Sequence, residues 1–204
     1  MASKKSCADA VDLYEDVIKC PGQKRLPGTR AYGWFIRRAY ITELAEPQKE
    51  AATALKDYLV IKDSHTLQAD KKWIRLEFIP DKSSMAPEAQ GEEGSKTMNN
   101  KATVVLPGTE EEQQAVASML LNDDVIVLVP QRNGKVRQFG DAAFTVNVTP
   151  SATTGASVTD ESNTTLEISV ACETMPPFYY GDIVTADGTY SGETCKLKTV
   201  SEGI

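Results

Sequence analysis

Histidine and paired cysteines are nearly absent from this 204-residue sequence. His65 is the only histidine, and the four cysteines include no C-x-x-C pair. Zinc sites and thioredoxin-like redox motifs need Cys or His residues at close, regular spacing, so neither is predicted. We expect no catalytic residue, no metal site and no cofactor. The cysteines, which we expect to be four free thiols unless two disulfides join the terminal segments, are Cys7, Cys20, Cys172 and Cys195.

Long apolar runs and an excess of positive charge are also missing. No stretch reaches the roughly 18 apolar residues of a membrane-spanning helix, and residues 1–12 lack the apolar core of a signal peptide. We therefore expect a chain that folds in the cytoplasm and does not contact a membrane. The formal net charge of −7 argues against clamping of a nucleic-acid backbone, which requires clustered Lys and Arg. An acidic surface along which DNA slides is compatible with this charge.

Motifs for catalysis or ion binding are weak in this sequence. His65 lies in the polar segment 62–66, which predicts a surface loop and no activated nucleophile. Gly108 precedes three glutamates that would repel a phosphate at the start of the predicted helix. The acidic segments 122–124 and 159–161 lack the alternating oxygen spacing of a calcium loop.

Alternating and continuous apolar segments predict about eight short strands. The predicted strands are 33–42, 58–62, 73–79, 125–129, 135–139, 144–149, 165–170 and 178–184. Asn133-Gly134 predicts a tight hairpin turn between the fourth and fifth of them. In the first strand, the adjacent Arg37 and Arg38 interrupt the alternation, which indicates a strand at a sheet edge or at an interface.

The one predicted helix spans 109–121. Thr109 and Glu112 form the T-x-x-E pattern of a capping box, and the glutamates of the first turn suit the positive end of the helix dipole. The face predicted to pack on a sheet comprises Ala115, Val116, Met119 and Leu120. One helix among many short strands predicts a mainly β fold, a β-sandwich or barrel with one flanking α-helix.

The chain length is typical of a single domain with elaborated loops. We assign 1–30 to an N-terminal arm with a possible helix at 8–19, and 31–185 to the β-rich domain. Residues 186–204 are assigned to a C-terminal tail that orders on contact with a partner. Within the domain, the polar segment 81–101 predicts a long loop or the tip of an extended hairpin.

Several turn and loop motifs follow one another in a set order along residues 20–185. They are CPG at 20–22, LPG at 26–28, AQGEEGSKT at 89–97, PGTEEE at 107–112, VPQRNGKVRQFG at 129–140, DESNTTL at 160–166 and PFYYGDI at 177–183. In this order and spacing the chain resembles the major tail (tail tube) proteins of bacteriophages and prophages of Bacteroidetes hosts. The motifs are structural, so the resemblance transfers no catalytic residue.

The resemblance implies hexameric rings that stack into a hollow virion tail through which DNA passes. The implied partners are further copies of the chain and other phage tail proteins, and assembly would take place in the cytoplasm of the bacterial host. Unpaired strand edges and long polar loops favour contacts of this kind between subunits. Candidate self-assembly residues are Trp34 and Arg38 on the interrupted strand, and Gln90, Glu92 and Glu93 in the long loop.

Three other classes of protein remain as alternatives. A connector, ring, tail terminator or capsid decoration protein would share a β-rich architecture, and its copy number per particle would distinguish it. A carbohydrate-binding or adhesin module is favoured only by β content and by Tyr179, Tyr180 and Tyr190. An enzyme would require a bound metal or a cleft of perturbed carboxylates.

Overall fold

A computed structural model describes residues 13–23 and 25–200 of the chain. Sixteen strands and one α-helix, α1 (Glu111–Leu120), lie within these residues. The predicted class, mainly β with one helix, is confirmed. The strands are β1 Tyr32–Arg37, β2 Ile41–Glu43, β3 Val60–Ile61, β4 Thr66–Leu67, β5 Ile74–Glu77, β6 Ser84–Met85, β7 Glu88–Gln90, β8 Thr97–Pro107, β9 Val125–Pro130, β10 Val136–Phe139, β11 Asn147–Thr153, β12 Asn163–Cys172, β13 Phe178–Tyr179, β14 Asp182–Val184, β15 Gly188–Ser191 and β16 Leu197–Val200.

The first large sheet has six strands in the order β3-β13-β10-β9-β1-β5. Its neighbours are antiparallel except β3 and β13, which run parallel. The predicted turn at Asn133-Gly134 joins β9 to β10. Gly134 has φ +95°, a left-handed conformation that glycine adopts without steric cost.

The second sheet has the order β11-β12-β8-β6, and β7 also pairs with β8. Two backbone hydrogen bonds join its corners to the first sheet. The Val146 N–H donates to the Val125 carbonyl at 3.2 Å, and the Ile79 N–H donates to the Val105 carbonyl at 2.7 Å. The two sheets therefore form a sandwich whose corners are partly closed, with the main core between them.

Strand β9 is buried on both of its faces. Val125, Val127 and Val129 belong to the core between the two sheets, whereas Ile126 and Leu128 belong to a second core on the opposite face of the first sheet. All six residues of β9 are buried. A continuous apolar run without alternation is typical of a strand covered on both sides.

The second core is covered in part by the C-terminal segment. Strands β14, β15 and β16 form a three-stranded sheet, and Ile183 and Cys195 are buried against the first sheet. The prediction of a tail that is unstructured from residue 186 is therefore wrong for 188–191 and 197–200, which are strands. A three-stranded unit with its own buried residues gains enough contacts to order within the single chain.

Helix α1 closes one end of the sandwich through Ala117 and Leu120, which are buried. Two predictions about it are wrong in detail. The predicted capping box is not formed. The Thr109 hydroxyl is hydrogen-bonded to the Ser162 hydroxyl, at 3.0 Å between the oxygens, and Glu110, which occupies the N-cap position, makes no side-chain capping hydrogen bond. Ala115 and Met119, predicted to face the sheet, are exposed. No helix in the described part of the chain is long and apolar enough to cross a membrane.

Strand β1 lies inside the first sheet, between β9 and β5, so its predicted edge position is wrong. The two arginines that break the alternation mark the place where the strand ends. Residues 38–40 form a short 3-10 helix, and Arg37 pairs with Asp123 at 2.5 Å. Residues 13–19 of the helix predicted at 8–19 are not helical, and residues 8–12 lie outside the described part.

His65 is buried, which corrects the prediction of a surface histidine. It is 7% exposed, and its ring stacks on Tyr179 at 4.6 Å between centroids. The Ala45 N–H donates to Nδ1 at 3.0 Å, so Nδ1 must be the unprotonated nitrogen. Nε2 then carries the proton and donates to Gln138 Oε1 at 2.8 Å. Burial is the largest cause that lowers the pKa of His65, to about 4.

The buried neutral His65 predicts acid sensitivity. The unfolded chain binds a proton at His65 near pH 6.5, whereas the folded chain does so only near pH 4. The free energy of unfolding should therefore be highest above about pH 6.5. Protonation of His65 should lower it by about 3 kcal/mol as the pH decreases to 4. Urea unfolding between pH 4 and 7.5 measures this dependence. The His65→Gln variant, although less stable, should lack that part of the pH slope; an equal slope in both proteins would contradict the assignment.

Close backbone approach at Gly192 predicts that the C-terminal sheet is an integral part of the fold. A Cβ atom on Gly192 would lie 2.5 Å from the Tyr179 carbonyl oxygen and 2.6 Å from that of Gly181. Because these are backbone atoms, Gly192→Ala should cost about 2 kcal/mol or more. Thermal unfolding measures the loss. Gly94→Ala, with φ +86° but nothing within 4 Å of the new Cβ, controls for conformational strain. Equal effects of the two would contradict tight docking.

Candidate assembly surfaces

A groove of about 550 Å³ opens on one side of the molecule, between segments 46–51, 140–144 and 172–177. Its lining combines polar and charged side chains with three alanines and two prolines. Phe144 stands at its rim with 58% of its surface exposed. Phe144 also borders the neighbouring cleft, which is lined in part by Gln90. The groove therefore continues, past an exposed aromatic ring, to the side of the β7–β8 hairpin.

One thiol, that of Cys172, lies in the lining of this groove. Cys172 Sγ lies 3.6 Å from Asp141 Oδ2, and burial, followed by the Asp141 charge, raises the pKa of the Cys172 thiol to about 11. The thiol is therefore protonated at neutral pH and is a poor nucleophile. Within the described segments, no group of three or more His, Cys, Asp or Glu residues is placed to hold a metal ion.

The β7–β8 hairpin projects beyond the second sheet. Gln90 pairs with Thr97 at its last rung, and every residue of the tip, 91–96, is exposed. The predicted assembly residues Gln90, Glu92 and Glu93 thus lie together at an exposed position. In the predicted loop 81–101, the structure has this hairpin and the start of β8, whose first residues are too polar to be recognised as a strand from the sequence.

Strand β11 forms an open edge of the second sheet. The Val146 N–H points away from β12, toward Val125, and backbone groups alternate in direction along a strand. The outward groups of β11 are therefore those of Val148, Pro150 and Ala152, and Pro150 has no N–H to donate. Five of its seven side chains are exposed. This edge can accept a strand from another chain at a limited number of positions.

The other two predicted contact residues lie elsewhere. Trp34 is 1% exposed and packs between Tyr32 and Tyr190, with ring centroids 5.3 and 5.4 Å away, so it has no surface to offer a partner in the monomer. Arg38 is half-buried and donates from Nη1 to the Ile41 carbonyl at 3.0 Å. It stabilises the bend between β1 and β2.

The remaining polar and aromatic candidates have structural contacts. Tyr179 is fully buried and Tyr190 packs on Trp34, so the tyrosines considered for sugar binding do not form an exposed aromatic platform. Asp160 Oδ2 accepts hydrogen bonds from the N–H groups of Ala156 and Ser157, at 2.9 and 2.8 Å. This aspartate closes its own loop.

The structure describes three of the four cysteines that are predicted to be free thiols. Cys20, Cys172 and Cys195 are all free, and they are respectively exposed, half-buried and buried. This agrees with free thiols at these positions. Cys7 lies outside the described residues.

One charged cluster was not recognised in the sequence. Its members come from three separate segments that meet at the β9–β10 turn. Arg132 donates its backbone N–H to the Gly28 carbonyl at 3.0 Å, and a Cβ on Gly134 would lie 2.8 Å from the Thr194 carbonyl oxygen. We call this group the basic cluster; it comprises Arg30, Arg132, Lys135 and Lys196. Only the fold brings residues 30, 132–135 and 196 together, so no local pattern could reveal it.

Comparison of the chain with protein-family models, with curated proteins and with solved structures finds no match.

The raised pKa of the Cys172 thiol predicts slow alkylation. At pH 7.5, iodoacetamide should modify Cys172 about tenfold or more slowly than the exposed Cys20, because little thiolate is present and access is limited. Peptide mass spectrometry over time measures the two rates separately. In urea the rates should converge. Asp141→Asn should accelerate the reaction at Cys172, since it removes the neighbouring negative charge; a rate at Cys172 equal to that at Cys20 in the folded protein would refute the assignment.

Proposed function

We propose that the chain is a structural virion protein, a tail tube subunit that assembles with copies of itself into stacked hexameric rings around a channel for DNA. The proposal involves no catalytic step and no cofactor. It places assembly in the bacterial host cytoplasm and the finished protein in the virion tail, in contact with other tail proteins. The resemblance of the motifs in residues 20–185 to tail tube proteins is one support for it.

The observation that carries the proposal is the pair of surfaces that the fold leaves without partners in its own chain. The β7–β8 hairpin extends its tip, 91–96, into solvent, and β11 presents a free edge on the same sheet. Natural proteins usually cover or shorten such features, because they invite pairing with other chains. A subunit that must bind its neighbours uses them as contacts.

Repetition accounts for how contacts of this size could hold a tube. An exposed loop and one strand edge provide a modest free energy of association for a single pair of subunits. In a closed ring each subunit makes two lateral contacts, and stacking adds axial ones. Each further contact then forms at a high effective concentration, which raises the overall avidity without any new interaction.

The charge of the chain suits a conduit for DNA. With a net charge of −7, the assembled protein repels the phosphate backbone on average, so DNA can move along it without being held. The proposal therefore assigns DNA the role of a passing cargo and not of a specific ligand.

Electron microscopy of the purified protein tests the proposal directly. Concentrated protein at near-physiological salt, examined in negative stain alongside light scattering for mass, should show hollow rings or striated tubes. A protein that remains at 22.2 kDa at high concentration would contradict self-assembly. It would favour a connector or a decoration protein that needs a different partner.

A hairpin with a shortened tip should separate folding from assembly. Replacing residues 91–96 by Asn-Gly joins Gln90 to Thr97 through a two-residue turn suited to an antiparallel pair. We expect a thermal midpoint within a few degrees of wild type, since the tip is exposed, but loss of rings and tubes.

The matched control removes four residues, 156–159, from the exposed loop between β11 and β12, which is the same net shortening. Light scattering and electron microscopy compare the two variants. Assembly of the shortened hairpin variant at wild-type concentrations would show that the tip is not a contact.

A further inference from the structure

The basic cluster is unusual in a chain with a net charge of −7. None of its four cations takes part in an ion pair among the described residues. Arg132, Lys135 and Lys196 are exposed, and Arg30 is half-buried. Glu193, on the same turn as Lys196, offsets one of the four charges. Backbone contacts hold the three segments together, and Lys135 Nζ lies 5.4 Å from the centroid of the Phe178 ring. Cations that lack acidic partners provide a surface for an acidic group from outside.

The position of Arg30 is fixed by its own contacts. Its Nη1 lies 3.4 Å from Tyr32 Oη and 3.4 Å from the Cys195 carbonyl oxygen. The guanidinium therefore lies between the start of β1 and the turn 192–196. Because the C-terminal sheet is packed on the first sheet, the cations from the two parts of the chain keep their spacing.

The hairpin tip carries two acidic residues, Glu92 and Glu93, and one basic residue, Lys96, so its net charge is −1. Glu92 and Glu93 are exposed at the tip and form no described ion pair, whereas Glu88 at the hairpin base is paired with Lys101. Glycines 91 and 94 have positive φ values of 95° and 86°, so the tip turns sharply on either side of Glu92 and Glu93.

The tip and the basic cluster lie at opposite ends of the molecule. The tip is joined to β8 at Thr97, the first residue of that strand. Eight residues later Val105 accepts a hydrogen bond from Ile79, and the preceding Phe78 donates to the Ala31 carbonyl, next to Arg30. At about 3.3 Å per residue, about 26 Å of β8 separates the two ends. Glu92 and Glu93 therefore cannot reach the basic cluster of their own copy.

We propose that the acidic hairpin tip of one copy docks on the basic cluster of the next copy, so that subunits associate head to tail. This inference rests on the proposed self-assembly and adds to it which surfaces meet and in which direction. A contact between two different surfaces of the same protein generates a ring or an open stack, because each copy still offers one free surface of each kind.

The contact sets direction more than it sets affinity. Exposed ion pairs contribute about 0.2–1 kcal/mol each, so two or three of them form a weak contact in an isolated pair. Complementary charge does, however, fix orientation and reject the opposite arrangement, since tip against tip or cluster against cluster brings like charges together. Repetition of the contact along a tube supplies the strength.

Charge exchange between the two surfaces tests this inference. In one variant the tip is reversed, Glu92→Lys with Glu93→Lys. In the other the cluster is reversed, Arg132→Glu with Lys135→Glu. Each variant alone then presents two surfaces of equal sign, and its self-association should weaken about tenfold or more. A 1:1 mixture should associate again, because each reversed tip meets a surface of opposite charge on the other variant. Sedimentation velocity at 50 and 500 mM NaCl measures the masses, and wild-type association should decrease at high salt.

The control has the same charge change at a different place. Glu43→Lys with Glu167→Lys alters two exposed glutamates that belong to neither surface, and it should associate as the wild type does. Two results would refute the contact while leaving self-assembly intact. In the first, both reversed variants assemble as well as the wild type does; in the second, the wild type assembles but the 1:1 mixture of the variants stays dissociated. A wild type that stays monomeric at 50 mM salt refutes both. Binding of a 30-base-pair DNA duplex that Arg132→Glu with Lys135→Glu abolishes, with self-association unchanged, would assign the cluster to nucleic acid instead.

Discussion

Burial of both faces of β9 holds the rest of the structure together. This strand supplies Val125, Val127 and Val129 to the core between the sheets and Ile126 and Leu128 to the core beneath the C-terminal sheet. It pairs with β1 on one side and β10 on the other, and its first residue forms the bridge to the second sheet through Val146. The basic cluster at one end of β9 and the corner at the other are therefore held by the same six residues.

Local sequence was sufficient wherever a short pattern determines the structure. The β9–β10 hairpin follows from a continuous apolar run and Asn133-Gly134, and β12 follows from its alternation. Prediction from local sequence was wrong where contacts with distant parts of the chain determine the structure. Strand β8 begins with polar residues, and only its pairing with β7 and β12 identifies this part of the chain as a strand. In the C-terminal segment, glycine at 192 allows backbone to pack on backbone, a contact that no apolar pattern in the sequence indicates.

The candidate surfaces also differ in whether one segment or several distant segments form them. The exposed tip with Gln90, Glu92 and Glu93 is local in sequence, and its polarity indicated a surface segment. The sequence makes Trp34 a candidate contact residue because it lies on the strand that two arginines interrupt, yet its ring is covered by Tyr190 from a distant strand. The basic cluster joins residues more than 160 positions apart, so it exists only in the folded chain. Similarly, His65 lies in a polar segment, and only Tyr179, Gln138 and the Ala45 backbone make its buried position tolerable.

Pro150 has a consequence for the behaviour of the free subunit. It lies in the middle of the open edge strand β11, where the missing N–H interrupts the row of donors that an added strand would use. In the function proposed above, the subunit would accumulate to high concentration before it assembles, and a fully competent edge would then seed disordered, amyloid-like stacking of strands. With the proline, only a partner that makes other contacts as well can occupy this edge. The subunit can thus remain in solution until a correctly oriented neighbour arrives.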